Sequence, residues 1–401
     1  MDRCCDNIVE EILRRLPAKY LHRVRAAARR YNLIIISPEF SARYWKSHAP
    51  YLSGAFLQSN RPWCQHSRFL DGYGDRPSAT ESVFAADLAF MPRLPPGPAT
   101  RDQEIFIVHA TAGLLLCSRG EDKPVQYYVC NPVSWQCVTL PEMPWPPADM
   151  SGLLSVTNNE DGKTIRCFQV VLFNQSSDWN ENDGCLHLKV FSSATGQWEA
   201  KKIRPPSIDA TIHESPFLGQ NGTAYWLVHR PMDKLIAYNC LHHTIQLLPL
   251  PAHVHDTTSS LNRCIGERHG GGLRYAHFDC SVFQVWDLQT GGVNGVWWNL
   301  VHQVAVMELA ERNPEATALV TAVDYVALNI SANTLFTVLG FHPTADIIFL
   351  AADQNVAAYS IEHGTIAYQF PDQHLYDGVF PYVHPAHPVE IPAIKKAPLS
   401  S

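Results

Sequence analysis

Over residues 6–45, apolar side chains recur one, three or four positions apart. Ile8, Val9, Ile12, Leu13 and Leu16 fall on one stripe and Glu10, Glu11, Arg14 and Arg15 on the other side, which predicts an amphipathic helix that Asp6 can cap. Pro17 cannot continue the helical ladder but suits a first turn, so a second helix is expected from there, carrying Leu21, Val24, Ala28 and Tyr31. After an apolar run at 33–36, Ser37 and Pro38 read as the cap and first turn of a third helix bearing Phe40, Tyr44 and Trp45. Helices this few and short bury little core alone, and the run at 33–36 needs a partner surface.

From residue 49 to about 98 the pattern is broken by Pro, Gly and Ser and reads as a linker entering irregular strands, with 83–90 as a candidate first strand. A loose repeat of strand, strand, turn and strand follows. GLLLCS (113–118) joins YYVCNPVSWQCVTLP (127–141), and FQVVLF (168–173) joins LHLKVFSSATGQWEA (186–200). NGTAYWLV (221–228) joins 234–251, GGLRYAHFD (271–279) joins 282–300, and DIIFLAA (346–352) joins 356–370. Phe191, Tyr238 and Trp286 occupy matching places, so the period is 47 and then 48 residues. One such unit cannot cover both its faces, whereas units stacked radially into a ring hide them and leave short edges. Five units plus the strands before Gly113 predict about six blades of a β-propeller. Two packed β-sandwiches, which need no period, remain the alternative.

Composition adds a compartment and a charge asymmetry. An apolar content of 46% with 17% charged residues is that of a folded globular chain, and 401 residues suffice for a small module and a large domain. Apolar runs too short to span a bilayer and the lack of a signal-like opening predict no membrane association and a place in the cytoplasm, the nucleus or both. The eleven cysteines lack metal-ligand spacing and read as core thiols in a reducing compartment. Residues 1–48 hold ten Lys or Arg against five Asp or Glu, so the remainder carries about twelve net negatives to reach the total of −7. The basic front shows no base-stacking aromatics, which favours an acidic protein partner over nucleic acid.

The stretch LRRLPAKYLHRVRAAARRYNLIIISPEF resembles the F-box, the module by which substrate receptors dock on the Skp-type adaptor of an SCF ubiquitin ligase. The matching positions are Ile12, Leu13, Leu16 and Pro17, then Leu21, Val24 and Arg25, then Ile34, Ile35, Ser37, Pro38 and Phe40. Cys4 and Cys5 stand where the family opens with Leu-Pro, Ala28 replaces a serine and Tyr31 a tryptophan. GLLLCS, YYVCNP, VFSSATGQW, NGTAYWL, VWDL, FHPTADIIFL and PYVHP resemble, in that order, the F-box-associated propeller-like domain of plant F-box proteins. The resemblance implies an α+β multidomain chain: a three-helix F-box at 1–48, a linker with first strands at 49–100, and the β domain at 101–395. It implies adaptor contacts from Ile8, Ile12, Leu13, Leu16, Pro17, Leu21, Val24, Ile34, Ile35 and Pro38, and through the adaptor a cullin and a RING subunit.

No phosphate-cradling glycine loop, nucleophile elbow or HExxH occurs. The histidines at 242, 243, 253, 255, 384 and 387 lack acidic or cysteine partners, so neither metal nor cofactor is expected. A non-catalytic substrate receptor is therefore the leading expectation, with a propeller enzyme or an F-box-like scaffold outside any ligase as alternatives. In a ring, target specificity belongs to connecting loops, and 174–184, 256–272 and 371–378 offer Trp179, His255, Arg263, Arg268 and Tyr376 as candidate target contacts.

Overall fold

Among the described residues of a computed structural model, helices occupy the front of the chain and strands nearly all the rest. The structure describes residues 6–16, 18–35, 37, 39, 40, 43, 44, 51–61, 64–71, 88, 91, 105–119, 125–132, 136–142, 150–160, 163–173, 179, 180, 185–204, 211, 212, 217, 218, 222–230, 234–251, 263–268, 271–278, 282–291, 295–314, 336–342, 345–352, 355–371, 378–384, 391 and 394.

The front contains α1 (Asp6–Arg14), α2 (Ala18–Ala27) and α3 (Arg29–Ile35). The helix expected to run through Ala28 breaks there, where Arg25 Nε donates to Asn32 Oδ1 at 2.6 Å across the corner. The apolar residues 33–35 are consequently the end of a helix and not a connection. Asp6 does not cap α1; its carboxylate accepts from Arg30 Nη2 at 2.6 Å, tying α1 to α3. Ser37 does act as expected, its Oγ accepting the Phe40 N–H at 3.2 Å. Leu13, Leu21, Ile35, Phe40 and Tyr44 form a small core, and Tyr44 Oη donates to the Leu16 carbonyl at 2.8 Å.

After β1 (Tyr51–Arg61) and β2 (Cys64–Asp71) come five blades of antiparallel strands. The first holds β3 (Ile105–Thr111), β4 (Leu114–Arg119), β5 (Gln126–Asn131) and β6 (Gln136–Thr139). The second holds β7 (Met150–Glu160), β8 (Lys163–Phe173), β9 (Trp179–Asn180), β10 (Cys185–Ser192) and β11 (Gln197–Ile203). The third holds β12 (Thr211–Ile212), β13 (Phe217–Leu218), β14 (Thr223–Arg230), β15 (Lys234–Asn239) and β16 (Thr244–Pro249). The fourth holds β17 (Arg263–Glu267), β18 (Leu273–Phe278), β19 (Val282–Thr290) and β20 (Val296–Ala305), followed by helix α4 (Val306–Arg312). The fifth holds β21 (Phe336–Phe341), β22 (Ile347–Ala352), β23 (Asn355–Ser360) and β24 (Thr365–Pro371). Finally β25 (Gly378–His384) pairs with β1, Phe56 opposite Phe380 and Leu57 opposite Val379, making a closing sheet in the order β2, β1, β25.

The innermost strands adjoin one another in sequence, β25 to β3, β7, β13, β17, β21 and back to β25, so the sheets form a propeller ring. An apolar core lies between each neighbouring pair of sheets. Leu115, Tyr128 and Tyr382 sit between the closing sheet and blade one, Trp226, Tyr238 and Phe173 between blades two and three, and Leu57, Leu339 and Phe349 between blade five and the closing sheet. Residues 51–61 and 64–71, expected to be linker and irregular strand, are paired antiparallel strands, and the second partner of β1 arrives from the far end of the chain. Within 83–90, the described Leu88 stands at φ 52 in a turn closed by the Met91 N–H, and both side chains are buried. Cys117, Cys130, Cys137, Cys167, Cys240 and Cys264 are free thiols, four of them buried.

Phe191, Tyr238 and Trp286 do sit on the third main strand of their blades and are buried, so the period is the blade repeat. Trp198 lies on the outer strand of blade two and matches Trp298 on the outer strand of blade four. Trp198 Nε1 donates to the Pro141 carbonyl at 3.0 Å and Trp298 Nε1 to that of Pro249 at 2.7 Å, each reaching back to the preceding blade. Other side chains also sew blade to blade. Gln58 Oε1 accepts the Ile107 N–H at 2.7 Å, and His109 Nδ1 accepts the Leu153 N–H at 3.2 Å. The buried Arg274 bonds Asp287 on its own blade at 2.7 Å and Asp346 on the next at 2.7 Å. At Gly266 a β-carbon would come within 2.3 Å of the Phe341 ring, so only glycine lets blades four and five approach this closely.

Three outcomes follow for stability. Tyr238→Ala and Trp286→Ala should each cost about 3–5 kcal/mol in urea unfolding, the usual range for emptying a buried aromatic site. Arg274→Met should cost a similar amount, roughly 3–5 kcal/mol, by stranding the Asp287 carboxylate, and adding Asp287→Leu should recover most of it. Burial pushes His109 down to about 4 from its ordinary 6.5. Since the unfolded chain then binds the extra proton, stability present above pH 6.5 is lost as pH falls toward 4; His109→Gln should flatten the urea midpoint between pH 6.5 and 5.

Candidate interaction site

The expected adaptor-binding residues divide by exposure. Ile8 and Ile12 are 53% and 57% exposed and one helical turn apart on α1, while Leu13, Leu21 and Ile35 face inward with 3%, 0% and 6% exposed. Those three cannot meet a partner without unfolding the module, which removes them from the expected docking surface. Leu16, Val24 and Ile34 are half-buried against the same core, and Pro17 and Pro38 lie outside the described residues. Leu33, in the apolar run at 33–36 and outside the expected docking set, is 56% exposed on α3. Arginines line the same helices, of which Arg14 and Arg15 are held by Glu11, and Arg43 by Glu10 at 3.0 Å. The two arginines keep the Glu11 carboxyl below the usual carboxylate range.

The expected target-binding residues fare differently. Arg263 is not on a loop: it opens β17 and is 3% exposed, its Nη2 donating to the Val228 carbonyl of the preceding blade at 2.7 Å. It is a blade-to-blade tie and is withdrawn as a contact. Arg268 lies in the turn after β17, its Nε donating to the Gly271 carbonyl at 2.9 Å and its guanidinium 3.8 Å from Asp287. Trp179 lies on β9 opposite Leu186, so the segment 174–184 contains paired strand and is not wholly an open loop. His255 and Tyr376 lie outside the described residues.

Two tyrosine–histidine pairs join titratable groups in the blades. Tyr359 Oη and His302 Nε2 are 2.7 Å apart between blades five and four; burial pushes the phenol up to about 12 and the imidazole down, so both are neutral near pH 7. Tyr238 and His243 repeat the arrangement within blade three at 2.7 Å, again with the phenol raised and the imidazole lowered by burial. Cys130 and Cys137 face each other across β5 and β6, and contact with Cys117 and Cys137 holds Cys130 protonated well above the ordinary thiol range. Among the described residues no group of three or more His, Cys, Asp or Glu could hold a metal ion, and no helix is long and apolar enough to cross a membrane. What this arrangement offers is surface: an exposed apolar stripe on the helices, and a ring whose blades are tied to one another by side-chain hydrogen bonds.

Comparison with known proteins places these features. Residues 89–324 match the family described as F-box protein At3g26010-like, beta-propeller. F-box protein At5g07610 of Arabidopsis thaliana is 25% identical over 386 residues, covering 92% of this chain and 83% of its own. F-box protein At5g03970 of the same plant is 25% identical over 362 residues, covering 88% and 79%. Among solved structures, apo AztD from Citrobacter koseri is 9% identical and covers 82% of this chain and 83% of its own, with a TM-score of 0.37. The family match runs over more than half of a chain whose sheets form a ring of antiparallel blades behind a helical front, and the chain belongs to the plant F-box proteins of the At3g26010-like β-propeller family.

Proposed function

We propose that this chain is the substrate-recognition subunit of an SCF-type ubiquitin ligase. Its helical front is a three-helix F-box that docks on a Skp-type adaptor, and through it on a cullin and a RING subunit. Its propeller, with the closing sheet counted as a sixth blade, holds a protein target, and the ubiquitin chemistry belongs to other subunits in the cytoplasm or nucleus. The observation that carries the reading is the exposure of Ile8, Ile12 and Leu33 on helices whose other apolar residues are committed to a core. Large apolar side chains left in water on a module this small mark a docking face. Relatives covering nearly the whole chain and named F-box proteins support it. The surplus of positive charge in residues 1–48 suits an acidic adaptor. Target contacts are assigned to surfaces not consumed in blade packing, with Trp179, His255, Arg268 and Tyr376 among the connecting segments.

The test is capture of a purified Skp-type adaptor by the full chain. Ile12→Asp changes an exposed position, so the fold should survive, while an unpaired carboxylate in the docked face should weaken capture by at least about tenfold. A variant that captures the adaptor as well as the parent would show that α1 is not the docking face. A parent chain that captures none would end the ligase reading.

A further inference from the structure

The edge of blade four carries little of the protection that sheet proteins give a free strand: a single bulge, and neither charge, proline nor short length. A free strand edge presents unpaired N–H and C=O groups, and natural sheets blunt it with charge, proline or short length. β20 is ten residues long, VWWNLVHQVA, with no Lys, Arg, Asp, Glu or Pro. By contrast β11 carries Glu199, Lys201 and Lys202, β16 ends at Pro249, and β6 has four residues. β19 is the only strand paired with β20 among the described residues. Trp297, Leu300 and Val301 are 46%, 45% and 38% exposed, Val301 being the extra residue of a bulge between Leu300 and His302.

Beside this edge lies a groove of 460 Å³ between blades three and four, lined by Pro249, Pro251, Trp286, Trp298 and Leu300. Its polar members Gln284 and Gln303 bond to each other at 2.9 Å, and no charged residue lines it among the described residues. A charged side chain entering it would lose its water without finding a counter-charge. We infer that β20 is the target-recognition edge: an extended, uncharged segment of the target polypeptide pairs with it as an added strand and drops alternate apolar side chains into the groove. Main-chain pairing supplies affinity and the Pro- and Trp-lined groove supplies selectivity, over a free edge of roughly 33 Å. The inference rests on the reading of the propeller as the target-binding part.

The probe is a library of random peptides of roughly twelve residues displayed on phage and selected against the immobilised full chain. Enriched peptides should share an uncharged run with apolar residues at alternate positions. The synthetic consensus peptide should bind Leu300→Lys at least about tenfold more weakly than the parent and Met307→Lys, also at an exposed position, as well as the parent. N-methylation of the peptide should abolish binding at every second position and spare the positions between. No enrichment, charged consensus sequences, indifference to Leu300→Lys in a variant with unchanged melting temperature, or N-methyl effects without a period of two would each overturn the inference. Adaptor capture by Leu300→Lys should equal that of the parent, so a failed F-box would show itself separately from a failed edge.

Discussion

Every blade of this protein depends on a pairing that no blade can make for itself. A blade has two apolar faces, and each is covered here mainly by the neighbouring sheet, so the blades stabilise one another as a closed circle. Closure is made by β1 and β25, strands from opposite ends of the propeller, whose register places Phe56 against Phe380 and Leu57 against Val379. The two faces of β1 then serve two cores: Phe56 packs toward blade one, and Ala55 and Leu57 toward blade five. The long side chains that cross between blades act on top of this packing. Arg263, Trp198 and Trp298 donate to backbone carbonyls of the preceding blade, and Arg274 bridges carboxylates of two blades, so each blade is tied to its neighbour by polar contacts as well.

The same constraint explains what could be read from the amino-acid sequence. The blades were legible because each repeats an apolar strand pattern locally, and the residues 47 and 48 apart, Phe191, Tyr238 and Trp286, hold equivalent buried places. The closing sheet was not, since nothing near residues 51–71 tells that their partner lies at 378–384. Arg263 was misplaced for a related reason: an arginine in a polar stretch looks solvated until the carbonyl it reaches, on another blade, is known. In the helical front the stripe was visible but its division was not. Ile12 and Leu13 are adjacent and equally apolar, yet one is in water and the other in the core, because α2 and α3 cover only part of a wide stripe.

Functionally the chain separates two kinds of surface. Within the blades two tyrosine–histidine pairs, Tyr359 with His302 and Tyr238 with His243, are neutral and hydrogen-bonded, an arrangement that supports a scaffold. Exposed apolar residues instead collect on α1 and α3 and along the outer edge of blade four, and these are the places where burial by another molecule would yield free energy. Under the proposed receptor function, one of these surfaces would serve the shared adaptor and the other the target.

Hydrogen exchange across the full chain, read residue by residue with and without a purified Skp-type adaptor, tests this account most directly. The account predicts that β1 and β25 share the slow exchange of the blades they close, and that the adaptor slows exchange in α1 and α3 while leaving every blade unchanged. Fast exchange of β1 and β25 beside protected blades, or adaptor-induced protection in the blades and none in the helices, would contradict it.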